Sequence, residues 1–256
     1  MHEKGFTLIE LLAVIAIVLV LAAVAAGAGW KVYESTSLAV SANNIRQLAA
    51  GGVNYLAEHN YIYWPYRQND PSNGTGITWW FGFEPIASVN RSEGEKEFDP
   101  SKGPLGGYIP KGIRPDPSFS LSGVAFKPKF KNGYIGVGYN VVIGGGFLGM
   151  APRLNHWQLS DPSKVVVFST TAQVNDFQSP ASPAKPMLEK FYSIDAGDGA
   201  QVKYPSVHFR KNGKAMVSFA SGNAGFLDMD ESTRDRRMPK ANVGRFAPAG
   251  NTTYLK

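Results

Sequence analysis

The side chains able to do chemistry in this chain are few. The run Asp195-Ala196-Gly197-Asp198-Gly199 sets two carboxylates among flexible carbonyls, the kind of ligand a hard cation such as Ca²⁺ accepts. Two acids without EF-hand spacing read first as a turn, so no cofactor is expected and Asp195 and Asp198 are the only metal candidates. Asp228, Asp230 and Glu231 form a second acidic cluster that reads as solvated surface. Ser169 or Ser218 with His208 and an Asp would make a hydrolytic trio, but no Gly-x-Ser-x-Gly elbow accompanies them. His2, His59, His156 and His208 stand too far apart for a metal-binding His pair, and there is no cysteine. Gly144-Gly145-Gly146 lacks the Lys-Ser/Thr of a phosphate loop. Arg234, Arg236, Arg237, Lys240 and Arg245 could meet a phosphate backbone but read as a solvated chain end, so nucleic acid is not an expected partner. The densest feature is aromatic: Tyr61, Tyr63, Trp64, Tyr66, Trp79, Trp80, Phe81 and Phe83. Such rings stack on sugars or bases, and more often fill a core or a subunit contact. None of this specifies catalysis, and no enzyme is expected.

The elements that would position these residues follow from composition and pattern. With 256 residues, 43% of them hydrophobic and 18% charged, the chain can bury a core. Its 28 glycines and 17 prolines are too many for an all-helical protein, so strands and turns are expected. Residues 6–30 are apolar except for Thr7 and Glu10 and contain no proline. As a helix they would be roughly 36 Å long, against about 30 Å of hydrocarbon in a bilayer. A secretory signal peptide has a shorter apolar core. A plain anchor accounts for the length but leaves the carboxylate of Glu10 unexplained inside the span, where a charge is costly.

The string Lys4-Gly5-Phe6-Thr7-Leu8-Ile9-Glu10-Leu11-Leu12 resembles the prepilin N-terminus shared by type IV pilins and type II secretion pseudopilins. The resemblance implies a leader, residues 1–5, cut after Gly5 by a prepilin peptidase, and N-methylation of the new terminus, Phe6. It also implies an assembly role for Glu10, which would pair with the Phe6 amine of a neighbouring subunit and offset the cost of both charges in lipid. The expected partners are therefore the peptidase, other pilin-like subunits and, before assembly, inner-membrane lipid. The small residues Ala22 and Ala26, Ala23 and Gly27, and Ala25 and Gly29 stand four apart, a spacing that lets helices approach closely.

Past residue 30 the helix should continue as an amphipathic segment to about residue 60. Leu38, Ile45, Leu48, Ala49, Val53 and Leu56 fall on one stripe, with Ser41, Asn44, Arg46, Gln47, Asn54 and Glu58 between them. Gly51-Gly52 should weaken or bend it. Residues 61–256 should form a β-rich globular domain with long loops. Residues 84–132 read as a loop-dominated insertion whose lysines (Lys102, Lys111, Lys127, Lys129, Lys131) make a solvated face. Strands are expected over 134–143, 164–170 and 224–227. A hairpin should join 207–210 to 214–219 through Lys211-Asn212-Gly213, because Asn-Gly accepts the positive φ of a tight turn. The fold class is α+β: a long N-terminal helix packed on an antiparallel sheet.

Several stretches of this half, Gly136-Val137-Gly138-Tyr139-Asn140, Asp161-Pro162-Ser163-Lys164 and the region of His208, are similar to large pilin-like proteins of the Planctomycetes–Verrucomicrobia kind. The chain departs from them at Ser221-Gly222, where Asp-Gly is usual, and at Asp116-Pro117-Ser118, where Cys-Pro-Ser is frequent. The function expected is structural: a single-pass inner-membrane subunit with a periplasmic domain, polymerised into a type II secretion pseudopilus or a type IV pilus-like filament. The rivals are a Sec-exported carbohydrate-binding module using the rings between Tyr61 and Phe83, and an anchored hydrolase built on His208.

Overall fold

A computed structural model describes residues 7–69, 76–109, 114, 116–194, 204–210, 213–248 and 254. One helix, α1 (Leu8–Glu58), holds 51 residues and is about 76 Å long at 1.5 Å per residue. Its start is written in four residues. Thr7 is extended, its hydroxyl accepts the Glu10 N–H, and the Glu10 side chain accepts the Thr7 N–H in return, a capping box that satisfies two otherwise orphaned donors. Its end is a left-handed turn: Asn60 and Tyr61 take φ of 51° and 58°, and the Tyr61 N–H returns to the Leu56 carbonyl at 2.9 Å.

The two halves of α1 differ in what they touch. Nothing is buried before Ser37; from there Leu38, Ser41, Ile45, Leu48, Gly52, Tyr55 and Leu56 pack on the domain. The stripe is wider and more polar than expected, since Ser41 and Asn44 lie on the buried face, whereas Val53 is 45% exposed. Gly51 and Gly52 neither bend nor end the helix; they let the domain come close. A Cβ on Gly52 would lie 2.7 Å from the Trp64 ring, and one on Gly51 would lie 2.9 Å from Ile109.

Among the described residues the domain contains three sheets. β1 (Arg67–Asn69), β2 (Gly76–Trp79) and β3 (Gly82–Pro85) form an antiparallel meander. The described residues then run through one short α-helix (Ile86–Val89), loops and short 3-10 turns to β4 (Phe126–Lys127), as expected of a loop-dominated insertion. β5 (Val137–Asn140) and β6 (Val166–Thr170) follow, then β7 (Ala172–Asn175), β8 (Met187–Lys190) and β9 (Ser193–Ile194). The last four are β10 (Val207–His208), β11 (Lys214–Phe219), β12 (Ala224–Asp230) and β13 (Val243–Phe246). The main sheet has the order β10-β13-β12-β11-β6-β5-β9, and a small sheet has the order β4-β8-β7. Thr171 divides β6 from β7 and bridges to Val207, so one stretch of chain passes from the main sheet into the small one.

The expected hairpin is not the one formed. β11 pairs with β12 on one side and β6 on the other, while β10 pairs with β13. The tight connection lies instead between β11 and β12, where Gly222 has φ 88°. Both flanks of β11 are thereby occupied by β12 and β6, which leaves β10 to pair with β13. Lys211 and Asn212 lie outside the described residues.

Side chains alternate across the main sheet as a pleated strand requires. Ala215 and Val217 face a core with Val166, Val207, Phe209, Met229 and Phe246. Met216 faces the larger core under α1, which holds most of the aromatic cluster. Tyr63, Trp64, Tyr66, Trp80 and Phe81 are fully buried and Trp79 nearly so. Trp64, Tyr139 and Phe168 form a ring triad, with centroids 4.9 Å (Trp64–Tyr139), 5.6 Å (Trp64–Phe168) and 5.6 Å (Tyr139–Phe168) apart. These rings are the core, and no exposed sugar platform can be made from them.

Candidate functional site

The free half of α1 presents an apolar surface with one charge near its start. From residue 7 to residue 36 every side chain is exposed, including Leu8, Ile9, Leu12, Leu19 and Val24. By length and composition this helix is able to cross a membrane. Glu10 Oε2 accepts the Thr7 N–H at 2.9 Å and the Thr7 hydroxyl at 2.7 Å, and the Glu10 N–H donates to Thr7 Oγ1 at 3.3 Å. The acid therefore has a reason within its own chain, capping the helix and meeting the positive end of the helix dipole. Gly5 and Phe6 lie outside the described residues. Gly27 and Gly29 have open space where a Cβ would stand, so nothing inside the chain requires their small size.

The bound half is held by a buried ionic cluster that hydrophobic patterning does not foretell. Asp116 stands at the N-terminus of a 3-10 turn, Pro117–Ser122, that packs against α1. Its carboxylate accepts the Ser118 N–H at 3.0 Å, the Ser118 hydroxyl at 2.8 Å, the Ser41 hydroxyl from α1, and Nη1 of Arg210. Arg210 donates further, through Nη2 to the Gly136 carbonyl at 2.8 Å and the Thr171 carbonyl at 3.2 Å, and through Nε to His208 Nδ1 at 2.8 Å. Both charged side chains are 1% exposed. Burial alone would raise the Asp116 pKa; Arg210, Ser41 and Ser118 outweigh it and hold the carboxyl below its usual value.

His208 lies inside the same cluster with its ring edge-on to Phe119 at 5.4 Å. Burial first, and then the adjacent Arg210 charge, push its pKa well below 6.5, while the ring donates to the Ala241 backbone. Nδ1 accepts from Arg210 and the other nitrogen donates, so the neutral ring has no free atom to serve as a general base. Ser169 and Ser218 are fully buried. The Ser169 hydroxyl is directed at the Thr170 carbonyl, and that of Ser218 has no partner, so the residues of the imagined trio are not assembled. Lys190 is also here, donating to the Gly133 carbonyl at 2.5 Å; burial and then Arg210 bring its pKa to about 8, against the pull of Asp116.

A second ionic network corrects the reading of the lysines as a solvated face. Lys127 is 1% exposed and its Nζ lies 2.5 Å from Glu189, which is fully buried. Gln173 and Asn175 donate to the two oxygens of that carboxylate at 2.7 and 2.9 Å. Lys102 and Lys131 are exposed as expected, and Lys111 lies outside the described residues.

The remaining candidates do not converge. Asp195 and Asp198 lie outside the described residues, and among the described residues no group of three His, Asp or Glu is placed to hold a metal. Asp228 meets Lys214 at 2.5 Å, Asp230 caps a 3-10 turn, and Glu231 pairs with Arg234. Of the basic C-terminal residues, Arg236 and Lys240 are exposed as expected, and the others are tied into the fold. Arg237 bridges Asp235 and Asp176, and Arg245 belongs to β13 inside the main sheet. Arg210 and Ser41 had no sequence signal of their own, because their partners lie 94 and 75 residues away.

The fold is α+β, a long N-terminal helix followed by a β-rich domain. The family model for the prokaryotic N-terminal methylation motif matches residues 1–26. That match supports the type IV pilin-like family, one of structural subunits, and the long apolar N-terminal helix fits it. No curated protein and no solved structure matches the chain.

Proposed function

We propose that the chain is a prepilin or pseudopilin that becomes a structural subunit of a type II secretion pseudopilus or a type IV pilus-like filament. A prepilin peptidase cuts between Gly5 and Phe6 and methylates the new terminus. Residues 6–30 hold the subunit in the inner membrane with the domain on the periplasmic side, and the same helix then packs among those of other subunits. The observation that carries the reading is the division of α1: its first half buries nothing in its own chain, while its second half is clamped to the domain. An apolar helix surface that its own chain leaves exposed must be covered by lipid or by other helices. Glu10, already capping its own helix, then exchanges the Thr7 contacts for the methylated amine of a neighbour.

The test is the N-terminal sequence and intact mass of the protein taken from membranes of its host. The expected result is a chain starting at Phe6 and about fourteen daltons heavier than the unmodified fragment, one methyl group. A chain starting at Met1 would leave only a plain anchor, and one starting near residues 27–30 would make it an exported soluble protein.

A further inference from the structure

Beside the C-terminal end of α1 a cleft of about 620 Å³ opens between β1, the stretch 144–153 and the turn at Lys102. The volume lies within the range of small-ligand sites, about 300–1,000 Å³. Three cations line it, Arg67, Lys102 and Arg153, and no carboxylate does among the described residues. Lys102 is tied to Asp99 at 3.6 Å. Neither arginine has a carboxylate partner among the described residues. Arg153 gives one Nη1–H to the Tyr63 carbonyl at 3.1 Å, and its charge acts on the nearby Tyr55 hydroxyl. Arg67 lies over the Trp79 ring at 5.2 Å, and its Nε–H is buried with no acceptor among the described residues. Two arginines that line one cleft, with no carboxylate among the described residues to balance them, make it attractive to an anion.

The wall is firmly built. Gly149 has φ 68°, and a Cβ there would collide with the Arg67 carbonyl, so the loop is seated directly on the β1 backbone. A planar guanidinium matches a two-oxygen anion in both shape and charge. We propose that this cleft binds a small ligand carrying a carboxylate or phosphate oxyanion. Arg67 and Arg153 take the anion, and Gln68 and Thr78, which also line the cleft, bond the rest of the molecule. The cleft is far along the chain from the free half of α1, so this site stands whether or not the chain assembles into a filament.

The test uses the full chain in detergent micelles, titrated calorimetrically with inorganic phosphate and with galacturonate against sodium chloride of equal ionic strength. The expected result is saturable one-site binding of at least one anion; the one that binds identifies the phosphate or the carboxylate source. Arg67→Gln and Arg153→Gln should each weaken it about tenfold or more, the loss of one charge-assisted pair. A measurement that needs no variant is phenylglyoxal labelling of the wild-type chain, in which the bound anion should slow modification of Arg67 and Arg153. No binding above the chloride control, unchanged affinity in both folded variants, or labelling that the anion does not slow would each overturn the proposal.

Discussion

Replacing Asp116 by Asn tests the clamp between α1 and the domain. Asparagine keeps the volume and an oxygen for the Ser118 N–H and the Ser41 hydroxyl, but it removes the charge that faces Arg210. Both side chains are 1% exposed, so the guanidinium left behind cannot be rehydrated without opening the packing between the Pro117–Ser122 turn and the helix. Breaking one partner of a buried pair costs about 3–5 kcal/mol. The retained hydrogen bonds put Asp116→Asn at the lower end of that range. For a domain of this size the melting temperature should then fall by on the order of 10 °C, at about 2–4 °C per kcal/mol. The assay is thermal unfolding of the full chain in detergent, followed by near-ultraviolet circular dichroism. The double variant Asp116→Leu with Arg210→Met, which leaves no lone charge, should recover much of the loss. A loss below about 1 kcal/mol for Asp116→Asn, the value of an exposed pair, would refute the claim that the clamp is buried and closed.

Gly52→Ala should destabilise the domain, because the new methyl meets Trp64, which is fully buried against Tyr139 and Phe168. Overpacking of about 1–3 kcal/mol exceeds the gain in helix propensity of about 1 kcal/mol. Gly27→Ala meets nothing within 4 Å, so it should stabilise the isolated helix by about that propensity gain yet impair filament formation, as read by electron microscopy of the two alanine variants side by side. Glu10→Ala should leave membrane insertion intact and remove only the Glu10 half of the capping box, since the Thr7 hydroxyl still caps the helix. It should also block or misregister assembly, and normal filaments from this variant would end the charge-pairing argument. His208 stays neutral in the fold while the unfolded chain binds its proton below about 6.5, so stability should fall as pH drops through that value. The slope due to this residue should approach about 1.4 kcal/mol per pH unit. His208→Asn, which keeps an acceptor for Arg210, should flatten that slope in urea titrations between pH 7 and pH 5.

The parts of this fold legible in the sequence are those set by neighbours along the chain. The apolar run, the Thr7–Glu10 spacing and the stripe of Leu38, Ile45 and Leu48 all act within a few turns of one helix. What was not legible depends on distant partners. Ser41 looks like a solvent-facing residue until Asp116 arrives, and Lys127 looks exposed until Glu189, Gln173 and Asn175 surround it. The Asn-Gly signal near residue 212 is a sound local turn preference, but strand pairing is decided across the sheet, where β12 and β6 occupy both sides of β11. The rings from Tyr63 to Phe81 were legible as a core by weight of numbers alone, since so much apolar area is more stable inside than out.

Because Ser41 is fastened to Asp116, α1 cannot rotate about its own axis relative to the domain. At about 100° per residue, the separation from Ser41 back to Glu10 amounts to eight full turns and roughly 220° more. The carboxylate thus leaves the rod roughly 140° from the side that grips the domain. Where the acid points and where the domain faces are therefore a single angular coordinate, set by one hydroxyl far from the terminus. A subunit docked through Glu10 would have the azimuth of its domain already chosen, so the pattern of domains around a bundle would be a copy of the pattern of acids within it.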